Sequence, residues 1–376
     1  MATMDVTVMG AGVFGLSVAY ACALRGAKVR VIDPSGVAAG ASGGIVGALA
    51  PHVPEKWGEK KEFQLESLLM QADFWAGVTA RTGLATGYVR AGRLQPLADG
   101  AAIALAKGRA VTAAEFWGDA AVWEVVPVGD ATWSPPSPSG MLVHDTLTAL
   151  IHPRAATKAL AAAFVALGGE IVSDGPAEGR VVWATGWRGL EEMTAQHARL
   201  VGAGAKGQGA LLQFDAVGLP QLFAETLHIV PHFDGTVAIG STTERHFDDP
   251  FATDDLLEDV IAKARQLFPV LADAPVIERW AGVRPRSRSR APMLGAHPFR
   301  RGEFVANGGF KIGFGMAPKM GEVMADLVLE DRDTIPMILD RSVVFKRLPR
   351  SCIAVHLGRA PMRSCLSSRA SLSHGA

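Results

Sequence analysis

Cysteine is scarce: Cys22, Cys352 and Cys365 are the only three in 376 residues, far apart and odd in number. Three scattered thiols build neither a disulfide framework nor a thiolate metal site, and they fit a reducing compartment. Net charge is lacking as well, with 37 basic residues against 37 acidic. No bulk field therefore favours nucleic acid or an anionic membrane. H-E-x-x-H does not occur, so no metal ion is expected, and no serine nucleophile elbow is expected either. The apolar stretch VTVMGAGVFGLSVAYACAL carries three glycines in its first half, which argues against a membrane span. Residues 1–5 before it hold an acid and no base, which argues against a signal peptide. A cytoplasmic protein is expected.

What is present describes a globular protein with a large core: 49% hydrophobic and 20% charged residues, in a chain long enough for two domains. Residues 5–9 read as a β-branched strand, 13–25 as a helix ending at Gly26, and 28–32 as a second strand. A long amphipathic helix is expected over 59–82, with Leu65, Leu68, Leu69, Ala72 and Trp75 on its buried face. The text from 89 to 142 is strand-like and turn-rich. Helices are expected over 154–167, 254–268 and 319–329. GALLQFD, TLHIVPHFDG and TVAIGSTTE read as antiparallel strands. Strand–helix text alternates twice with antiparallel text, which predicts two interleaved domains. Beyond residue 340 the chain turns basic, with seven Lys or Arg and no acid over 341–376, and a dispensable, poorly ordered tail is expected.

Residues 5–15, DVTVMGAGVFG, fit G-x-G-x-x-G between a strand and a helix. Gly10 permits the tight turn and Gly12 lets backbone approach a pyrophosphate. Gly15 lets the helix pack on the strand. Val13 and Phe14 open the helix, whose N-terminal amides attract phosphate. Asp33 ends the second strand, placed for ribose hydroxyls. This is a dinucleotide site, and the glycines alone leave FAD and NAD both open.

Four further stretches bear on the choice: GASGGIVGALAPH (40–52), VVWATG (181–186), WAGVRP (280–285) and GGFKIGFGMAPKMGEVMADL (308–327). Together with the glycine turn, and in this order, they resemble the FAD-dependent D-amino-acid oxidase, glycine oxidase and D-amino-acid dehydrogenase group over residues 7–329. The resemblance implies an α/β fold: a Rossmann-like FAD-binding domain interleaved with an antiparallel β-sheet substrate domain. The first would take residues 1–80, 141–200 and 285–340, and the second 81–140 and 201–284. It implies non-covalent FAD, with Ser42, Gly43 and Gly47 around the ribityl and pyrophosphate side and Gly186 as the turn beneath the cofactor. Gly309, Phe310, Ile312 and Gly313 would bring backbone amides to the flavin N1–C2 edge. Arg284 matches the arginine that grips a substrate carboxylate. His228 stands where glycine oxidases have a tyrosine, and Lys311 where they carry a second basic residue.

The activity implied is oxidation of the amine carbon of an amino acid, D or glycine-like, by hydride transfer to flavin N5. The product is an imino acid and then a 2-oxo acid, with O2 or a quinone as electron acceptor and a homo-oligomer possible. The pattern departs from the group in two places. Only residues 173–180 separate the strand ending at Val172 from that beginning at Val181, and Ser289-Arg290 replaces the usual Asp-Gly. The second change leaves Arg284, Arg286, Arg288 and Arg290 in alternation, and on an extended segment these share one face. That face, with the ASG and WAG motifs, supports the alternative of a tRNA wobble-uridine-modifying flavoenzyme. His52 reads as a loop residue.

Overall fold

A computed structural model describes residues 3–340. The expectation for the basic tail lies outside the described residues. Seven α-helices occur among them: α1 (Val13–Leu24), α2 (Glu59–Thr82), α3 (Gly100–Trp117), α4 (Pro153–Ala166), α5 (Gly186–Ala195), α6 (Asp255–Leu267) and α7 (Gly313–Glu330). None of the helices is long and apolar enough to cross a membrane.

The β-branched strand Val6–Met9 lies inside a six-stranded sheet, parallel to Val29–Ile32 on one side and to Arg180–Trp183 on the other. Glu170–Val172 extends the first side and Phe304–Asn307 the second, with Met293–Ala296 closing the edge antiparallel. Helix α1 is apolar around its whole circumference and almost wholly buried. Such a helix needs cover on every side, and α4 and α7 supply it opposite the sheet.

The second sheet has eight strands, in the order Val276–Ser287, Gly202–Gln213, Thr236–Gly240, Leu227–Pro231, Gln221–Ala224, Arg93–Pro96, Met141–Asp145 and Trp123–Pro127. All neighbours are antiparallel except Gln221–Ala224 with Arg93–Pro96. Helix α6 buries Leu257, Ile261 and Ala264 in the core of this part of the molecule.

The structure corrects the sequence reading at four places. Met141–Asp145, assigned above to the FAD-binding part, pairs on both edges within the eight-stranded sheet, so the boundary at 141 falls beyond residue 145. Within the stretch read as strand and turn, α3 forms instead. It is alanine-rich, and Asp99 caps it by accepting from the Ala102 N–H at 2.8 Å.

On α2, Leu69 is exposed and Ala72 faces out, while Gln64, Ser67 and Gln71 are buried. Helix α7 starts six residues before residue 319 and contains Pro318. Proline cannot donate to the carbonyl four residues back, at Phe314. Gln71 of α2 does so instead, at 3.0 Å, and accepts from Trp75 Nε1 at 2.6 Å. At Gln71 the buried face of α2 is polar because it mends the backbone of α7.

Candidate functional site

A cavity of about 790 Å³ runs between the two sheets, within the range of pockets that hold small molecules. One end is the glycine turn. Gly10 has φ 115°, and a Cβ there would stand 2.5 Å from the Ala184 carbonyl oxygen, so only glycine fits. Asp33 accepts from Ala11 N at 2.8 Å and from Ser35 N at 2.9 Å, which fixes its carboxylate at the mouth of the turn. Ser42 Oγ accepts from Val13 N at 2.9 Å, at the N-terminus of α1.

Gly10, Gly12, Val13, Phe14, Asp33, Ser42, Gly47, Gly186, Gly309, Phe310, Ile312 and Gly313 all line this cavity, as do Arg284, His228 and Lys311. Gly15 and Gly43 do not. A Cβ at Gly15 would lie 1.9 Å from the Gly10 carbonyl oxygen, so Gly15 serves the packing of α1 on the turn. Gly43 presents its carbonyl to Arg154 Nε at 2.7 Å, and its neighbour Gly44 faces the cavity instead. The row of amides over 309–313 is also partly committed. Phe310 N donates to the Pro285 carbonyl and Ile312 N to that of Gly309, both at 2.9 Å.

The far end is built by the eight-stranded sheet. Strand Val276–Ser287 delivers Arg284, whose register partner is Ala205. Its Nη1 donates to Ser241 Oγ at 2.8 Å and its Nη2 to the Thr242 carbonyl at 2.6 Å. Its Nε is buried without a partner. Burial holds the Arg284 pKa down at about 10, against a weak opposing pull from Glu244. Arg284, Arg286 and Lys311 all stand near the Phe310 ring, at 5.7, 5.9 and 5.9 Å.

His228 packs on Phe223, ring centroids 4.6 Å apart, with its Nδ1 2.7 Å from the Gln221 amide nitrogen. Burial pushes its pKa down to about 3, helped by the charges of Arg93, Lys311 and Arg284, so the imidazole is neutral. Burial and then Arg284 also lower Lys311.

Sequence reasoning passed over Arg93, which lines the cavity beside His228. Its Nε donates to the fully buried Asp145 at 2.8 Å, and its guanidinium lies 5.5 Å from the Phe223 ring. His52, read as a loop residue, lines the cavity too and bonds Gln64 of α2. The four-arginine face does not form. The strand ends at Ser287, and Arg288 and Arg290 sit exposed in the turn that follows. The surface on which a polyanion reading depended is thereby removed.

His228 and His232 stand four residues apart, a spacing the sequence reading missed, yet they point to different places. His232 packs against His152, ring centroids 4.5 Å apart and tilted at 41°, beside Asp234, and these three are the described residues grouped closely enough to hold a metal ion. His152 Nδ1 accepts from Ala155 N as the cap of α4, which leaves the proton on Nε2, 3.5 Å from Asp234. A metal at Nε2 would have to displace that proton, so the trio reads as a hydrogen-bonded cluster.

Comparison with known proteins follows the same outline. The model of the DAO family, described as FAD dependent oxidoreductase, matches residues 5–327. The bifunctional protein ThiO/ThiG of a Nostoc species is 27% identical over 88% of this chain and 53% of its own length. The chain thus spans about half of that relative. Glycine oxidase of Bacillus licheniformis is 25% identical over 86% of this chain and 93% of its own. Among solved structures, glycine oxidase from Geobacillus kaustophilus superposes with a TM-score of 0.78 at 22% identity, covering 89% of this chain and 96% of its own. L-proline dehydrogenase from P. horikoshii gives 0.76 at 18% identity over 92% and 98%. At these identities the likeness to the solved structures is one of fold.

Proposed function

The chain belongs to the DAO family of FAD dependent oxidoreductases, and from that premise we propose that it oxidises the amine carbon of a small amino acid, giving an imino acid and then a 2-oxo acid. The observation that carries this reading is Arg284: a half-buried guanidinium whose Nε is buried without a partner, with no ion pair among the described residues, in the same cavity as the glycine turn. A cation so placed recognises a carboxylate. The residues at the other end suit FAD: a turn closed to any side chain at Gly10, a helix N-terminus with Ser42 upon it, and Asp33 at the ribose position.

Bound FAD supplies the two-electron acceptor for the hydride that leaves the α carbon as the amine lone pair closes the C=N bond. The protein orients and selects. Arg284 and Lys311 favour a carboxylate and disfavour an ammonium, so the substrate amine is held in its neutral, electron-donating form. His228 is neutral and offers hydrogen bonding without charge. No acid–base pair is needed, which fits a site whose chemistry belongs to its cofactor. Water then converts the imine to a 2-oxo acid and ammonia, and an acceptor of the O2 or quinone class removes the electrons.

We place the protein in the cytoplasm on its scattered thiols. We also divide it into a discontinuous cofactor part and a substrate part, as the sequence suggests, with Met141–Asp145 and the end of Val276–Ser287 moved to the latter. The test is direct. Purified protein should be yellow, release FAD on acid treatment, and bleach anaerobically with an amino acid while a 2-oxo acid forms. Protein that stays colourless after incubation with FAD removes the reading.

A further inference from the structure

Resting on the amino-acid reading above, we propose that Arg93 selects the substrate's side chain, and that this side chain ends in a neutral carbonyl acceptor, as a carboxamide does. Arg93 lines the cavity, yet its side chain is only 6% exposed. Its guanidinium is fixed on three sides. Nε donates to Asp145 at 2.8 Å, and the Trp123 and Phe223 rings stand 5.9 and 5.5 Å from Cζ. The two Nη atoms make no hydrogen bond among the described residues, and neither is sealed off from the space around it. Donors held this firmly in a buried side chain, and left open to a cavity, call for an acceptor on whatever fills it.

The sheet places these donors along the path of a substrate. Arg93 is the register partner of Gln221, and Gln221 Nε2 lies 2.7 Å from His228 Nδ1. Phe223, whose ring stands by the guanidinium, pairs with His228. His228 pairs with Gly240, and the next residue, Ser241, receives Arg284 Nη1. Phe223, His228 and Ser241 therefore lie on, or at the end of, successive strands, and the span from first to last is about 10 Å. With its α-carboxylate on Arg284, a substrate can run its side chain past His228 toward Arg93. An acceptor about two or three carbons beyond Cα closes that distance.

Charge decides between a neutral and an anionic end. Asp145 is fully buried, and its two oxygens accept from Arg93 Nε and from the Thr148 N–H, both at 2.8 Å. Arg93 is thus already matched one to one. A carboxylate at this place would set two desolvated anions on one cation. A neutral carbonyl accepts from Nη and leaves the pair in balance, whereas an apolar end leaves the donors unmet. His228 adds no charge of its own, since burial keeps its imidazole neutral.

Asparagine, leucine and aspartate share nearly one shape, as do glutamine, methionine and glutamate. Anaerobic flavin reduction of the FAD-loaded protein by both hands of each measures the choice. At least one carboxamide should be favoured about tenfold or more over its apolar twin, the ratio for one hydrogen bond to a charged donor, and should also outrun its acidic twin. Arg93→Met would strand Asp145, so the variant is Arg93→Lys. An ammonium can stay beside Asp145 but lacks the spare coplanar donors, and the ratio should fall toward one. Calorimetry on the unaltered FAD-loaded protein needs neither turnover nor a variant: succinamate should bind more tightly than 4-methylpentanoate or succinate.

Equal affinity for the three acids overturns the proposal, and so does a lead for succinate. A carboxamide preference that survives in folded, FAD-retaining Arg93→Lys overturns it too, because another group would then read the side chain. The two readings fail separately. If leucine or methionine reduces the flavin at least as fast as both carboxamides, the selection by Arg93 fails and amine oxidation stands. If no amine reduces it while succinamate keeps its lead, amine oxidation fails and the acceptor site at Arg93 stands.

Discussion

Arg284 donates to Ser241 and to the Thr242 carbonyl, so truncating it removes two contacts at the ends of strands as well as a charge. Arg284→Ala should lower kcat/KM for a carboxylated substrate by about 10- to 1000-fold, the span of one or two charge-assisted hydrogen bonds. Arg284→Lys should not restore it, because an ammonium cannot serve Ser241, Thr242 and a carboxylate from one plane. Arg286→Ala, whose side chain is half-exposed beside Phe310, should change it far less. Stopped-flow reduction of the three variants measures this, and equal losses at 284 and 286 would count against the carboxylate role. His228 does not protonate above about pH 3, so His228→Asn should leave the acid limb of the reduction profile where it is. Arg284, His228 and Lys311 were legible because they sit in recognisable stretches. Arg93 was not: its partner Asp145 is 52 residues away, and only the sheet pairing brings them together. Gly43 misled for a related reason. A glycine marks close approach, and sequence does not say whether the approaching group is a ligand or the chain's own backbone.

At the scale of elements, periodicity served where burial was apolar and failed where it was polar. The strands Val6–Met9 and Val29–Ile32 and the bounds of α2 followed from pattern. The inward face of α2 did not, because Gln64 and Gln71 are inside to satisfy Ala50, His52 and Phe314, a demand set by Pro318 and the cavity wall rather than by α2 itself. Helix α3 was hidden by turn-rich neighbours although its Asp99 cap was in plain view. One connection between elements makes a prediction. Arg154 of α4 donates Nε to Gly43 and both Nη atoms to Glu278 of Val276–Ser287, at 2.9 and 2.6 Å. It thereby pins the segment bearing Ser42 to the strand bearing Arg284. The pair is about a third exposed, so its contribution to stability is about 1 kcal/mol or less. The larger effect should be on the cofactor: Arg154→Met should weaken FAD binding by roughly tenfold, through the loosened Ser42 segment. Titration of apo-protein with FAD measures it, and an unchanged affinity would show that Ser42 is held in place without Arg154.

Taken as a whole, the molecule closes its two sheets over a cavity flanked by imidazoles that must stay neutral. Burial lowers His228 to about 3 and His232 to about 4, and lowers His52 and His152 in the same direction. In the unfolded chain each titrates near 6.5. Below that pH the unfolded state takes up protons that the native state refuses, so ν_U exceeds ν_N and stability rises with pH. The contribution is fully present above about pH 6.5 and is lost progressively as pH falls toward the native values. Carboxylates act lower. Asp254, held down first by its hydrogen bond from Gln208, loses its advantage only below the ordinary carboxylate range, about pH 4. The window from pH 6.5 to 5 therefore isolates the histidines. Thermal melts of FAD-loaded protein should show Tm falling steadily across it, and the fall should flatten in His232→Gln, which removes a deeply buried imidazole outside the cavity lining. The His152→Gln change should flatten it less, since that imidazole faces Asp234, which favours its protonated form and offsets part of the burial. A Tm that is level from pH 6.5 to 5, or one whose slope is untouched by His232→Gln, would mean that these imidazoles reach water and that the two sheets do not close as tightly as their packing indicates.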